Sequence, residues 1–317
     1  MPAEARLNAQ AVVVEQPLTL RVRELALIEP TENDLVVDIC WSGISTGTEK
    51  LLWSGRMPVF PGMGYPLVPG YESVGRVAQA GANTNYEIGE LVFVPGAACF
   101  GDVKGLFGGA ASRVVIPALR ALRLPEELGE HGTLLALAAT AYHANAGGVT
   151  PPELIVGHGV LGRMIARLAV IAGGNPVVWE TNPIRRDGAE GYAVIDPQDD
   201  TRSNYRSICD VSGDASVLDQ LIARTAPGGE IVLAGFYDDT MRFSFAPAFM
   251  REVRIRVAAQ WKPAELLAVR DLAESGRLSL DGLITHRSSP EHAEQAYRTA
   301  FSDPGCLKMI LDWRTSP

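Results

Sequence analysis

The chain has 317 residues, a formal net charge of −9 and 47% hydrophobic residues, and a mean hydropathy of +0.07, which excludes a disordered polymer and leaves room for two domains. The acidic balance, with no basic cluster to offset it, excludes nucleic acid and anionic lipid as natural partners. No apolar run reaches the roughly 20 residues of a membrane helix, the opening MPAEARLNAQ lacks a secretory pattern, and Cys40, Cys99, Cys209 and Cys306 form no C-x-x-C pair, so reduced thiols and a cytoplasmic location are expected.

In chain order, short β-branched runs at 11–14, 35–39, 72–77 and 91–94, separated by Gly and Pro, predict an all-β lobe. From about Glu130 the texture changes. A strand at 154–156, a helix at 160–171, a strand at 177–179 and another at 231–234 predict a parallel sheet covered by helices. A strand at 253–258 follows, then helices opened by Pro263 and Pro290 and a last strand at 308–311, which is expected to return to the first lobe.

The strand at 154–156 runs directly into Gly157-His158-Gly159-Val160-Leu161-Gly162 at the head of a helix. At such a turn Gly157 permits the bend, Gly159 lets backbone approach a pyrophosphate, and Gly162 allows close packing of helix on strand, with the helix N-terminus facing the phosphates. The next strand ends on Glu180, an acceptor for ribose hydroxyls that repels a 2′-phosphate and so favours NAD. Arg185 and Arg186 just beyond are either phosphate ligands or loop charges. His158 is read as a loop residue of the cofactor turn, and Phe236, after Gly235, as a wall of the same cleft.

The runs SGISTGTE (42–49), PGYE (69–72), ATAYH (139–143) and LITH (283–286), with the glycine turn, are similar to the medium-chain dehydrogenase/reductase superfamily over essentially the whole chain. The resemblance implies a β-rich GroES-like catalytic domain (1–137 and 261–317) and a Rossmann NAD-binding domain (138–260). It also places Thr140 and His143 near the nicotinamide. Zinc-dependent members carry Cys, His and Cys or Glu at positions that here hold Ser45 or Thr46, Tyr71 and about Ala136. Hydroxyls and a methyl do not suit tetrahedral zinc, and a zinc-free enzyme is expected. Within the superfamily, SGISTGTEKLLWSGRMP and FPGMGYPLVPGYESVGRV are similar to the hydroxyethyl-oxidising dehydrogenases of bacteriochlorophyll biosynthesis. That likeness implies NAD-linked oxidation of a 1-hydroxyethyl group on a bacteriochlorophyllide to acetyl. The partners expected are this small tetrapyrrole and, at most, a second copy of the chain in a homodimer.

Without zinc, another group must take the hydroxyl proton. Tyr71 is the leading candidate if nearby charge lowers its pKa, with Lys50 as the source of charge and Thr46 and Thr48 as relays; Ser45 and His143 are the further catalytic candidates. Glu49 and Glu72 are expected to anchor the lobe, since an unpaired buried carboxylate is costly. Trp53, Met57, Phe60, Met63 and Tyr65 either face a planar macrocycle or fold onto their own lobe. Two other readings remain open: a zinc-free NADPH-dependent quinone or enone reductase, and a redox sensor without turnover.

Overall fold

The computed structural model describes residues 7–146, 148, 150–237 and 239–315; residues 1–6, part of the opening run read above, lie outside them. The chain forms two compact units, one built from the residues up to Leu135 together with those from Leu283 onward, the other from Ala136–Gly282. Among the described residues, no helix is long and apolar enough to cross a membrane.

The first unit is organised around the strand Asp34–Ile44. It pairs antiparallel with Ser73–Ala80, Arg113–Pro117 and Met309–Asp312, within a seven-stranded sheet. Its residues are buried almost continuously because both faces are covered, which is why the sequence shows an apolar run instead of alternation. Met309 stands opposite Ile44 and Asp312 opposite Trp41. The carboxyl end of the chain thus completes the sheet begun by its first lobe, and residue 308 arrives beside the turn that follows Ile44.

The second unit carries a parallel sheet in the order Ala193–Ile195, Val177–Trp179, Leu154–Val156, Tyr205–Asp210, Thr225–Leu233, Arg254–Val257. Leu154–Val156 is wholly buried, as a central strand flanked on both faces must be. The chain starts there, builds outward to one side, then returns to lay Tyr205–Asp210 on the other. Such a reversal opens a crevice at the carboxyl ends of the two central strands, where α/β sheets bind ligands.

The helix Pro263–Glu274 belongs to this second unit, whereas the sequence reading assigned everything after 260 to the first lobe. Its Glu265 holds His143 of the helix Leu135–Ala146 at 3.0 Å. This side-chain pairing is invisible to a reading based on periodicity.

Candidate active site

The strand Asp34–Ile44 ends in the turn 45–47, and the short helix Thr48–Ser54 follows. The turn delivers Ser45 Oγ to 2.7 Å from the Tyr71 hydroxyl. Thr48, at the head of that helix, acts on the same phenol and holds its pKa down. The paired Ser45 and Tyr71 hydroxyls can each pass a proton while accepting another. The Tyr71 ring meets Phe107 edge-on, with centroids 5.4 Å apart. Phe107, 41% exposed, sits in a tightly packed loop: a Cβ on the next residue, Gly108 at φ +82°, would stand 1.7 Å from the Ala97 carbonyl oxygen. The sequence analysis did not single out Phe107, and its position in a Gly-rich stretch was the signal available.

Behind the hydroxyls lie two buried carboxyls. Glu49 accepts the Ser45 N–H at 3.2 Å and the Tyr297 hydroxyl at 2.7 Å. Glu72 accepts Lys308 Nζ at 2.5 Å, and the same ammonium donates to the Ile44 carbonyl at 3.2 Å. The other Glu72 oxygen is buried without a partner. Desolvation drives Glu49 up to about 8; the negative charge of Glu72 adds to this, while the bonds from Tyr297 and Ser45 and the charge of Lys308 oppose it.

These carboxyls reverse the expected electrostatics of Tyr71. Burial first, then the charge of Glu72, push the phenol well above its ordinary value, against the lowering influence of the Ser45 and Thr48 bonds. The expected cation, Lys50, is not among the charges acting on it, and the cation that does reach this region, Lys308, is committed to Glu72. Tyr71 is therefore a neutral phenol near neutral pH. The metal-ligand positions inferred above hold Ser45 or Thr46, Tyr71 and about Ala136, which is fully buried. Two hydroxyls and a methyl are a poor donor set for zinc. Among the described residues, no group of three His, Cys, Asp or Glu side chains is gathered as metal ligands would be.

In the second unit the glycine turn has the geometry its spacing requires. Gly157 has φ +103°, and a Cβ on Gly162 would lie 1.9 Å from the Gly157 carbonyl oxygen, whereas one on Gly159 would meet only open space. Gly159 caps the helix Val160–Ile171, whose first backbone bond runs from Arg163 N to Gly159 O. The N–H groups of Val160, Leu161 and Gly162 thus have no partner within the helix, forming a cradle for an anion over a residue that adds no bulk.

Glu180 is held rigidly at the crevice: one carboxylate oxygen accepts His158 N–H at 2.9 Å and the other accepts Asn182 N–H at 2.8 Å. Each oxygen keeps a lone pair for a ribose hydroxyl. The His158 side chain points elsewhere. Its Nδ1 lies 2.6 Å from the Arg185 carbonyl oxygen, which can only accept, so the proton sits on Nδ1 and Nε2 accepts the Tyr192 hydroxyl at 2.8 Å. Burial pushes His158 down to about 4, and the ring is a neutral brace.

Arg163, buried on the helix, extends that brace by donating to the carbonyls of His158, Arg185, Asp187 and Gly188. The backbone carbonyl of Arg185 is therefore tied into the same brace. Arg186 donates to the carbonyls of Glu180 at 2.9 Å and Thr181 at 3.2 Å and pairs with Asp196.

The remaining sequence candidates scatter. Thr140 turns its hydroxyl back to the Ala136 carbonyl at 2.9 Å. His143 is engaged by Glu265. Phe236 is 47% exposed, and Gly235 packs beside Tyr237, whose hydroxyl donates to the Asp210 carbonyl. Thr46 is half-buried in the turn. Trp53, Met57, Met63 and Tyr65 pack on the core of their own lobe, and Phe60 remains exposed.

Residues 31–126 match the alcohol dehydrogenase GroES-like domain. Two full-length relatives are similar to this chain: the 2-desacetyl-2-hydroxyethyl bacteriochlorophyllide A dehydrogenase of Rhodobacter capsulatus, 57% identical with 97% of this chain and 99% of the relative covered, and the protein of the same name from Cereibacter sphaeroides, 56% identical with 98% and 100% covered. Among solved structures, the short chain alcohol dehydrogenase of Escherichia coli CFT073 complexed with NADH shares the fold at a TM-score of 0.83 and 21% identity, covering 96% of this chain and 99% of that one.

Proposed function

We infer that this chain, which belongs to the family of the 2-desacetyl-2-hydroxyethyl bacteriochlorophyllide A dehydrogenases, oxidises the 1-hydroxyethyl substituent of a bacteriochlorophyllide to acetyl, using NAD and no zinc. The observation that carries the chemistry is the Ser45–Tyr71 hydroxyl pair, with Thr48 acting on the same phenol, where the zinc-dependent members would place ligands. A secondary alcohol becomes a ketone by losing a hydride from carbon and a proton from oxygen. NAD, when bound, supplies the hydride acceptor.

The residues of the second unit fit that cofactor. The N–H groups at 160–162 over open Gly159 suit a pyrophosphate, and the braced Glu180 carboxylate suits the two ribose hydroxyls of NAD while repelling a third charge. On the first unit, Tyr71 receives the substrate proton as its own moves to Ser45 Oγ, and the Ser45 hydroxyl proton is released to solvent past the half-buried Thr48. A neutral phenol works here as a relay and not as a stored base, because the carboxyls behind it disfavour phenolate. Phe107 offers the exposed aromatic edge on which a flat macrocycle rests. The reaction belongs in the cytoplasm, and a homodimer is the assembly to be tested by sedimentation.

The test mixes purified protein with NAD and a hydroxyethyl bacteriochlorophyllide and follows both absorbances. One NADH per acetyl product, unaffected by a chelator, is the expected result. Activity lost with bound zinc, or reduction of quinones by NADPH with no oxidation of the macrocycle, would overturn it.

A further inference from the structure

Two arginines follow Glu180, and an arginine beside an adenosine ribose is what a 2′-phosphate would seek. Arg186 is not at liberty. Arg186 has Nε on the Glu180 carbonyl, Nη2 on the Thr181 carbonyl, and the same Nη2 on Asp196 Oδ2. Asp196 is in turn set by its own loop, where Oδ1 accepts Gln198 N–H at 2.9 Å and its carbonyl accepts Asp199 N–H at 3.0 Å. Arg186 and Asp196 side chains are 31% and 24% exposed, so solvent screens their attraction only in part.

We propose that Asp196 is a determinant of cofactor choice: it holds Arg186 flat against the backbone of the Glu180 strand end and so withholds from NADP the cation its 2′-phosphate would need. The argument rests on the reading of Glu180 as the ribose acceptor. Two carbonyl dipoles alone do not compete with a phosphate of nearly two negative charges, whereas a carboxylate already paired with the guanidinium does. NADP is then refused twice, by the charge of Glu180 and by the capture of Arg186. Asp196 stands 16 residues beyond Glu180 and acts through Arg186, so it is a positioning residue that touches no part of the cofactor.

The experiment is fluorescence titration of NADH and NADPH against the whole protein, wild type and variants. Asp196→Asn keeps an acceptor for Gln198 N–H and removes the charge that restrains Arg186. It is expected to lower the NADPH Kd by about tenfold, the worth of one charge-assisted contact, while the NADH Kd stays within about twofold. In Asp196→Asn/Arg186→Ala the gain should vanish, which separates release of Arg186 from general loosening of the loop. Equal changes for both cofactors, or a gain that survives loss of Arg186, would overturn the proposal. The wild-type ratio of the two Kd values tests the NAD reading separately. A wild type preferring NADPH defeats that reading, and the lock is judged independently by whether the effect of Asp196→Asn depends on Arg186.

Discussion

Replacing Arg163 by Met keeps the aliphatic stem inside the helix packing and removes every donor of the guanidinium. Four carbonyls lose a partner: His158, Arg185, Asp187 and Gly188. The Arg185 carbonyl keeps the His158 Nδ1–H, and residues 187 and 188 are exposed, so water replaces much of their bonding. His158 is fully buried, and its carbonyl has no such recourse.

One unsatisfied buried carbonyl costs roughly 1–3 kcal/mol and each rehydrated one about 0.5–1 kcal/mol. A loss of about 3 kcal/mol follows, reduced somewhat because a buried cation no longer needs desolvation, the effect that lowers the Arg163 pKa. At roughly 2–4 °C per kcal/mol for a chain of this size, Tm should fall by about 8 °C. The loop at 183–188 would loosen beside Glu180, raising the NADH Kd by about tenfold. Circular dichroism melting and NADH fluorescence titration read the two effects. A melt within about 2 °C of wild type together with unchanged NADH affinity would refute the assignment of Arg163 as the brace of the nucleotide site.

Tyr71→Phe should lower kcat by roughly 10²-fold or more while NAD affinity stays within about twofold. A rise in KM alone would make Tyr71 a pocket wall, and Thr48→Val measured alongside locates the relay. Glu49, raised from 4.5 to about 8, favours the folded state most below pH 4.5, where it is protonated in both states, and that contribution is lost as pH rises through 8. Glu49→Gln should therefore flatten the decline of Tm between pH 5 and 8, and an unchanged slope would contradict the burial of an ionisable carboxyl there. His158 has the opposite sign: with its value lowered from 6.5 to about 4, stability is present above pH 6.5 and falls toward pH 4, because protonated Nε2 can no longer accept from Tyr192. His158→Asn should remove this acid-side decline in melts taken across pH 4–7.

The glycine turn was legible in the sequence because its causes are local. A strand of three apolar residues, a position at φ +103° and a helix lying too close for a Cβ each demand particular residues within ten positions. The proposal of a zinc-free reaction is likewise local in origin, since it rests on the identities of Ser45 or Thr46 and of Tyr71, which offer neither imidazole nor thiolate. The protonation of Tyr71 was not legible. It depends on Glu72 and Glu49, which are held by Lys308 and Tyr297, lying 236 and 248 residues away in the chain. Nothing in a heptad or an alternating pattern distinguishes a lysine that meets water from one that closes a sheet and pairs with a carboxylate. The same is true of Arg163, one of two arginines buried in an apolar helix, and of Arg186, whose partner Asp196 comes from the following strand's end. Backbone conformation follows from neighbours along the chain, but the charge a side chain carries follows from its neighbours in space, and the tertiary fold alone chose those.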